Sequence, residues 1–315
     1  MLSIRRILWP TDFSKGADRA FPHAAALASW HEAELHVLHV TEGRSGNAPD
    51  ADIPIPKSTL SSLLSGDGDP PPHVDLDALT LVQEQREHRS PPEAIVGYVE
   101  EQEIDLVVAG TRGRRGLQRL LIGSVAEEVV RRSDQPVLTV RGDAEEQTEV
   151  HPRIVDRILV PVDFSEPSRE ALRTAKEWAT LYDAAIDVLH VVAERIQPAF
   201  YTGGVQSIYD MEPDIEQKMM DRLEAFVADT GGPERTIRPH VTVGNAAPDT
   251  AEFVDAESVD LVAMSTHGRT GLDRFLLGSV AEKIIRHVHC PVLTMKPFGT
   301  TFAPSEDTAE SDAGA

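Results

Sequence analysis

Apolar positions along this chain fall into two alternating kinds of run. Short apolar-rich runs at residues 4–9, 34–40, 106–109 and 136–140, and again at 158–160, 185–192, 261–264 and 291–295, have the length and β-branched content of buried strands. Between them apolar residues recur at helical spacing, as Ala17, Ala20, Phe21, Ala24 and Ala28 in one segment and Ala171, Leu172, Ala175, Trp178 and Ala179 in another. Ser14 and Ser165 stand where these two helices begin and are expected as their N-caps. Pro167 suits a first helical turn, whereas Pro22 lies inside its helix and predicts a kink or a late start there.

Further on the two halves diverge. Residues 214–229, with Ile215, Met219, Leu223, Ala225 and Phe226 on or near one face, predict a helix that stops at Gly231-Gly-Pro233 before a strand near 237–243. The matching first-half stretch, 43–74, contains Gly66-Asp-Gly-Asp-Pro-Pro-Pro72 and is expected as a loop with at most a short turn at 58–64, ahead of a strand near 79–85. Helices are expected at 92–101 and 248–256. Strand and helix thus alternate, and each half ends on a fifth strand. The pattern predicts two tandem α/β domains, each an open five-stranded parallel sheet in doubly wound order 3-2-1-4-5 with helices on both faces. The expected domains are residues 1–141 and 153–297, joined by a linker at 142–152 and followed by a disordered acidic tail at 300–315.

One stretch carries the candidate chemistry. Asp105-Leu-Val-Val-Ala-Gly-Thr-Arg-Gly-Arg-Arg-Gly-Leu-Gln-Arg-Leu-Leu-Ile-Gly-Ser-Val-Ala-Glu-Glu128 has a near-copy 155 residues later, from Asp260 to Lys283, without a gap. In each copy a strand runs into a Gly- and Arg-rich loop that ends in Gly-Ser at a helix start. Ser124 with Glu127, and Ser279 with Glu282, have capping-box spacing. Glycines ahead of a helix N-terminus offer bare backbone N–H groups and partial positive charge to an anion such as phosphate. The first copy adds Arg112, Arg114, Arg115 and Arg119.

In a doubly wound sheet strands one and four are neighbours, and ligands lie beyond their carboxyl ends. Asp12 ends strand one and Gly110 ends strand four, so residues far apart in sequence face one crevice. Its carboxylate wall accepts from amino or hydroxyl groups and its other wall donates to phosphate, a combination that a nucleotide matches. Taken alone, Asp12 and Asp163 read equally as helix caps or as ligand contacts. His39 and His190 alternate with apolar neighbours and read as strand histidines without a catalytic role.

These residues resemble the universal stress protein family, in tandem. Its nucleotide-binding members carry Gly-x-x-Gly, nine residues, then Gly-Ser or Gly-Thr. Gly110, Gly113, Gly123 and Ser124 follow that pattern; Gly268, Gly278 and Ser279 follow it in the second half, with Ser265 in the first glycine position. The resemblance implies binding of ATP or another adenine nucleotide, with Mg²⁺ or Mn²⁺ as its companion ion. The implied contacts are Thr11, Asp12 and main chain near Val40 for adenosine, and Gly110, Arg112, Gly113, Gly123, Ser124 and Val125 for the phosphates. Their counterparts are Val162, Asp163 and Val191, then Ser265, His267, Gly268, Gly278, Ser279 and Val280. A side chain at Ser265 is expected to crowd ribose or phosphate, which makes the first half the stronger phosphate site. Family dimers pair their fifth strands, so the resemblance implies an internal pseudo-dimer here, with a homodimer of chains as a further expectation.

Composition narrows the alternatives. The net charge of −22 is shared between the halves, which speaks against nucleic acid as a partner. No run has the roughly 18 apolar residues of a membrane span, and a membrane partner is not expected. Cys290 is the single cysteine, in keeping with a reducing, cytoplasmic setting. Its neighbours His287 and His289 complete no tetrahedral metal set, and none is expected. With 24 Arg against 6 Lys and acids in excess, a high-salt cytoplasm is one reading of the surface and an ordinary acidic protein another. No Walker loop, nucleophile elbow or His-Glu-x-x-His motif is present, so catalysis is not the expected role. The competing readings are a dimerisation scaffold with degenerate phosphate loops and a slow nucleotide hydrolase using His267.

Overall fold

The computed structural model describes residues 2–41, 55–65, 74–111, 123–141, 155–194, 207–266, 277–296 and 303–304. The first repeat runs β1 (Leu2–Ser3), β2 (Arg6–Thr11), α1 (Lys15–Asp18), α2 (Phe21–His31), β3 (Glu34–Thr41), α3 (Lys57–Ser65), β4 (Leu81–Glu87), α4 (Pro91–Glu101), β5 (Leu106–Gly110), α5 (Ser124–Arg132) and β6 (Val137–Val140). The second runs β7 (Arg157–Pro161), α6 (Glu166–Tyr182), β8 (Ala185–Ala193), α7 (Ile208–Met211), α8 (Ile215–Ala228), β9 (Ile237–Gly244), α9 (Ala246–Ala256), β10 (Leu261–Ser265), α10 (Ser279–His287) and β11 (Val292–Met295), followed by β12 (Ala303–Pro304). Among these described residues no helix is long and apolar enough to cross a membrane.

Two compact units result, residues 1–154 with 291–315, and residues 155–290. In the first, strands lie in the order β4-β3-β2-β5-β6-β11, parallel from β4 to β6, so the repeat itself has the order 3-2-1-4-5. The second has β9-β8-β7-β10, all parallel. The fifth strand of the second repeat, β11, belongs to the first unit and lies antiparallel on β6, with Val292 opposite Thr139 and Thr294 opposite Val137. Two hydroxyls tie this pairing reciprocally: Thr139 donates to the Val292 carbonyl at 3.2 Å and Thr294 to the Val137 carbonyl at 3.0 Å. The fifth strands of the repeats therefore pair inside one chain. Ala303–Pro304, within the expected tail, pairs antiparallel with Leu2–Ser3.

The central strands are apolar throughout because helices cover both their faces. Ile7, Leu8 and Trp9 of β2 are fully buried, as are Ile158, Leu159 and Val160 of β7. An aspartate at the foot of strand four pins strand one: Asp105 Oδ2 accepts from the Arg5 and Arg6 N–H groups at 2.7 and 2.9 Å, and Asp260 Oδ2 from those of Asp156 and Arg157 at 3.0 Å. Pro22 does break the first helix: α1 stops at Asp18, and α2 begins at Phe21 with the proline in its first turn. The second half, with Pro167 in the first turn, keeps one unbroken helix, α6.

Two local expectations need correction. Residues 57–65 form helix α3, not a short turn, because Leu60 and Leu64 one turn apart are both buried and the Gly-Pro cluster begins only beyond it. The helices after the glycine loops begin one residue earlier than capping boxes require. Gly123 and Gly278 are the N-caps, Ser124 and Ser279 are the first helical residues, and neither N-cap has a side chain with which to cap.

Candidate functional site

The carboxyl ends of strands one, two and four meet at one level of each sheet. In the first unit Thr11 is in register with His39, so Asp12 lies beside Val40. Ile7 pairs with Leu106 and Leu8 with Val107, and continuing that register sets Thr11 level with Gly110. In the second unit Pro161 pairs with Leu189 and Leu159 with Val262, which brings Asp163 beside Val191 and Val162 level with Ser265. The strand order reverses between β2 and β5, and between β7 and β10. Ligands of such sheets lie at this switch point.

Each aspartate caps its own turn while facing the crevice. Asp12 Oδ1 accepts the Ser14 N–H at 3.1 Å, and Asp163 Oδ1 accepts the Ser165 N–H at 3.0 Å and the Ser165 hydroxyl at 2.5 Å. The two serines cap the helices that follow, as their spacing predicts. In the first half Asp18 is a neighbouring acid, raised from its ordinary value by burial and then by the charge of Asp12.

The opposite wall is built by a backbone bond. The Gly123 N–H donates to the Thr111 carbonyl at 2.5 Å, and the Gly278 N–H to the Thr266 carbonyl at 2.9 Å. Each bond holds the start of a helix against the end of strand four. The N-cap glycines of α5 and α10 bring no side-chain acceptor, and the first N–H groups of these helices, at Ser124, Val125, Ser279 and Val280, form the positive end of a helix dipole. All four residues are exposed, Val125 and Val280 by 37% and 41%, which is unusual for valine next to a core. Arg112, Gly113, His267 and Gly268 lie outside the described residues.

Two glycines of the expected contacts are also required by packing. A Cβ on Gly110 would sit 2.1 Å from the Gly16 carbonyl oxygen and 2.9 Å from Ala17 Cα, so this glycine is required by the close packing of α1 on β5. A Cβ on Gly278 would meet the Thr266 carbonyl oxygen at 2.8 Å, which the closing bond of the loop does not permit. Ser265, half-buried at the position matching Gly110, lies in the unit whose first helix is unbroken.

Two residues at the crevices escaped the sequence reading. Phe13 and Phe164, directly after the aspartates, have φ of 57° and 62°. Each ring lies on a strand-two histidine, Phe13 on His39 at 4.5 Å and Phe164 on His190 at 4.2 Å. Only the repetition of Asp-Phe-Ser and of the histidine at matching positions signals them in sequence. Cys290 is a buried thiol pushed up to about 12 by burial, and so behaves as a small apolar residue.

The third strand and second helix distinguish the halves. In the second unit Arg222 of α8 lies 4.1 Å over the Phe164 ring and Arg169 lies 4.4 Å over Phe226. In the first, the Ile55 N–H donates to the Gln83 side chain at 2.7 Å, which fastens the chain before α3 to edge strand β4.

Comparison with known proteins places these features in one family. The model of the universal stress protein family matches residues 3–141 and 155–296. A universal stress protein of Methanocaldococcus jannaschii is 32% identical over 143 residues, 44% of this chain and 81% of its own. One from Mycolicibacterium smegmatis is 26% identical over 303 residues, covering 92% of this chain and 97% of its own, so both repeats align. The crystal structure of a universal stress protein from Archaeoglobus fulgidus has the same fold, with a TM-score of 0.60 at 19% identity, over 93% of this chain and 97% of that one.

Proposed function

The chain belongs to the universal stress protein family, and on that premise we propose that it is a stress-response or regulatory protein that binds ATP or another adenine nucleotide. The observation that carries this reading is the bond from the Gly123 N–H to the Thr111 carbonyl, with its counterpart from Gly278 to Thr266. It holds a helix start, whose N-cap is a glycine, one residue past the strand end that is level with Thr11, at the end of the sheet where Asp12 lies beside Val40. Adenosine would use the strand-one aspartate and the main chain at Val40 or Val191. Phosphates would use the helix start, with Ser124 or Ser279 donating. A divalent cation would arrive with the nucleotide.

Both halves are candidates. The serine at 265 does not count against the second, because the glycine at 110 answers to Gly16 and Ala17. Antiparallel pairing of β6 with β11 supports an internal pseudo-dimer as the regulatory unit, and self-association of whole chains is a further proposal. On this reading the protein works in the cytoplasm, where nucleotide is abundant and a single cysteine stays reduced. Mass analysis of small molecules released by denaturing the purified chain tests the reading. An adenine nucleotide in the release supports it. A chain that releases none, and takes up none from a millimolar mixture of ATP, AMP and cyclic AMP, counts against it.

A further inference from the structure

We propose that His39 and His190 are positioning residues of the two crevices, each locking the turn that carries the strand-one aspartate. The proposal rests on the reading of those crevices as nucleotide sites. Each imidazole makes two contacts on either side of its aspartate. His39 Nδ1 is 2.8 Å from the Thr11 carbonyl, and His190 Nδ1 is 2.8 Å from the Val162 carbonyl. A carbonyl only accepts, so Nδ1 carries the hydrogen and the tautomer is fixed. The ring face then receives the residue on the far side of the aspartate, Phe13 or Phe164.

Those phenylalanines are the reason a lock is needed. Left-handed backbone is rare for a side chain of this bulk and persists only where the surroundings over-determine it. Here the strain falls between the aspartate and the helix-capping serine, in both repeats. The turn orients the carboxylate, and the histidine holds the turn at both ends. The repeats complete the lock differently. Thr11 Oγ1 accepts the Phe13 N–H at 3.0 Å in the first half. In the second, Val162 has no hydroxyl, and Arg222 lies over Phe164 instead. The histidine and the positive φ are what the two locks share. An imidazole present only to fill the core would not need to meet a strand-end carbonyl and a strained ring in both copies.

Two substitution pairs in the full-length chain separate the contacts. His39→Phe with His190→Phe keeps an aromatic face but removes the donor. His39→Asn with His190→Asn keeps an N–H close to the position of Nδ1. Equilibrium dialysis with Mg²⁺ and labelled ATP, alongside circular dichroism, should find that the phenylalanine pair weakens binding tenfold or more while folded, and that the asparagine pair recovers most of it. Wild-type chain that binds while the phenylalanine pair binds within twofold, or an asparagine pair no better than the phenylalanine pair, overturns the positioning role and leaves the nucleotide reading standing. Wild-type chain that binds no nucleotide overturns both. Wild-type chain labelled with ¹⁵N-histidine supplies a readout independent of any variant's folding. Both imidazoles in the Nδ1–H form, with signals that move on adding ATP, support the proposal; the Nε2–H form, or signals unmoved by bound ATP, overturns it.

Discussion

A methyl group on Gly110 would lie 2.1 Å from the carbonyl oxygen of Gly16. The first glycine of the loop pattern is therefore fixed by α1, the short helix that Pro22 separates from α2. Gly110→Ser should force backbone apart and destabilise the chain by roughly 1–3 kcal/mol or more, seen as a lower urea midpoint. Ser265→Gly should cost only about 0.5–1 kcal/mol and leave nucleotide affinity of the second half unchanged. Equal stability losses from the two substitutions would contradict this packing account.

Asp187 is a buried carboxylate, 1% exposed, held by Arg238 at 3.0 Å, His240 at 2.8 Å and Arg157 at 3.3 Å. Removing one member of a buried ion cluster costs roughly 3–5 kcal/mol, and the partly exposed arginines place this case near the low end. Asp187→Ala should lower the urea midpoint accordingly, while Asp183→Asn, which removes an almost fully exposed charge beside Arg235 and keeps a side chain suited to the left-handed backbone there, should change it little.

Acid should weaken the fold before carboxylates titrate. Burial lowers His23 to about 4 and lowers His31 and His36 from the ordinary value of 6.5. Between those values the unfolded chain binds protons that the folded chain does not, so stability is full above pH 6.5 and falls as pH drops toward 4. Burial raises Asp18 and Glu177, which act in the opposite sense at the carboxylate end of the range. Denaturant midpoints at pH 7.5, 6 and 5 should decline in order, and His23→Gln should flatten the decline.

The order of strands and helices is legible in the sequence because it is written twice, and strand continuity follows from burial on both faces. Helix α3 is not legible, since the burial of Leu60 and Leu64 is a tertiary fact beside a stretch whose glycines and prolines read as loop. Asp12 and Asp163 are legible as residues at the strand-one end, but not in their local role: the helix caps are Ser14 and Ser165, and each aspartate accepts the N–H of that serine within the turn. The purpose of Gly110 is not legible, because it depends on a helix break ninety positions earlier in the chain, an order-of-magnitude separation that no local pattern encodes. The left-handed phenylalanines leave no local signal either, as aromatic residues rarely adopt that backbone.

A net charge of −22 with few lysines implies self-repulsion that salt relieves. The thermal midpoint should rise between low and molar potassium chloride. A midpoint that stays level or falls would remove charge repulsion as a term in the stability of this fold.

The central claim is tested most directly by equilibrium dialysis of the full chain against labelled ATP with Mg²⁺, beside Asp12→Ala with Asp163→Ala and Gly123→Val with Gly278→Val. The account predicts saturable binding by the unaltered chain, and its loss in both folded variants. No binding at millimolar nucleotide, or binding undiminished in both variants, would contradict it.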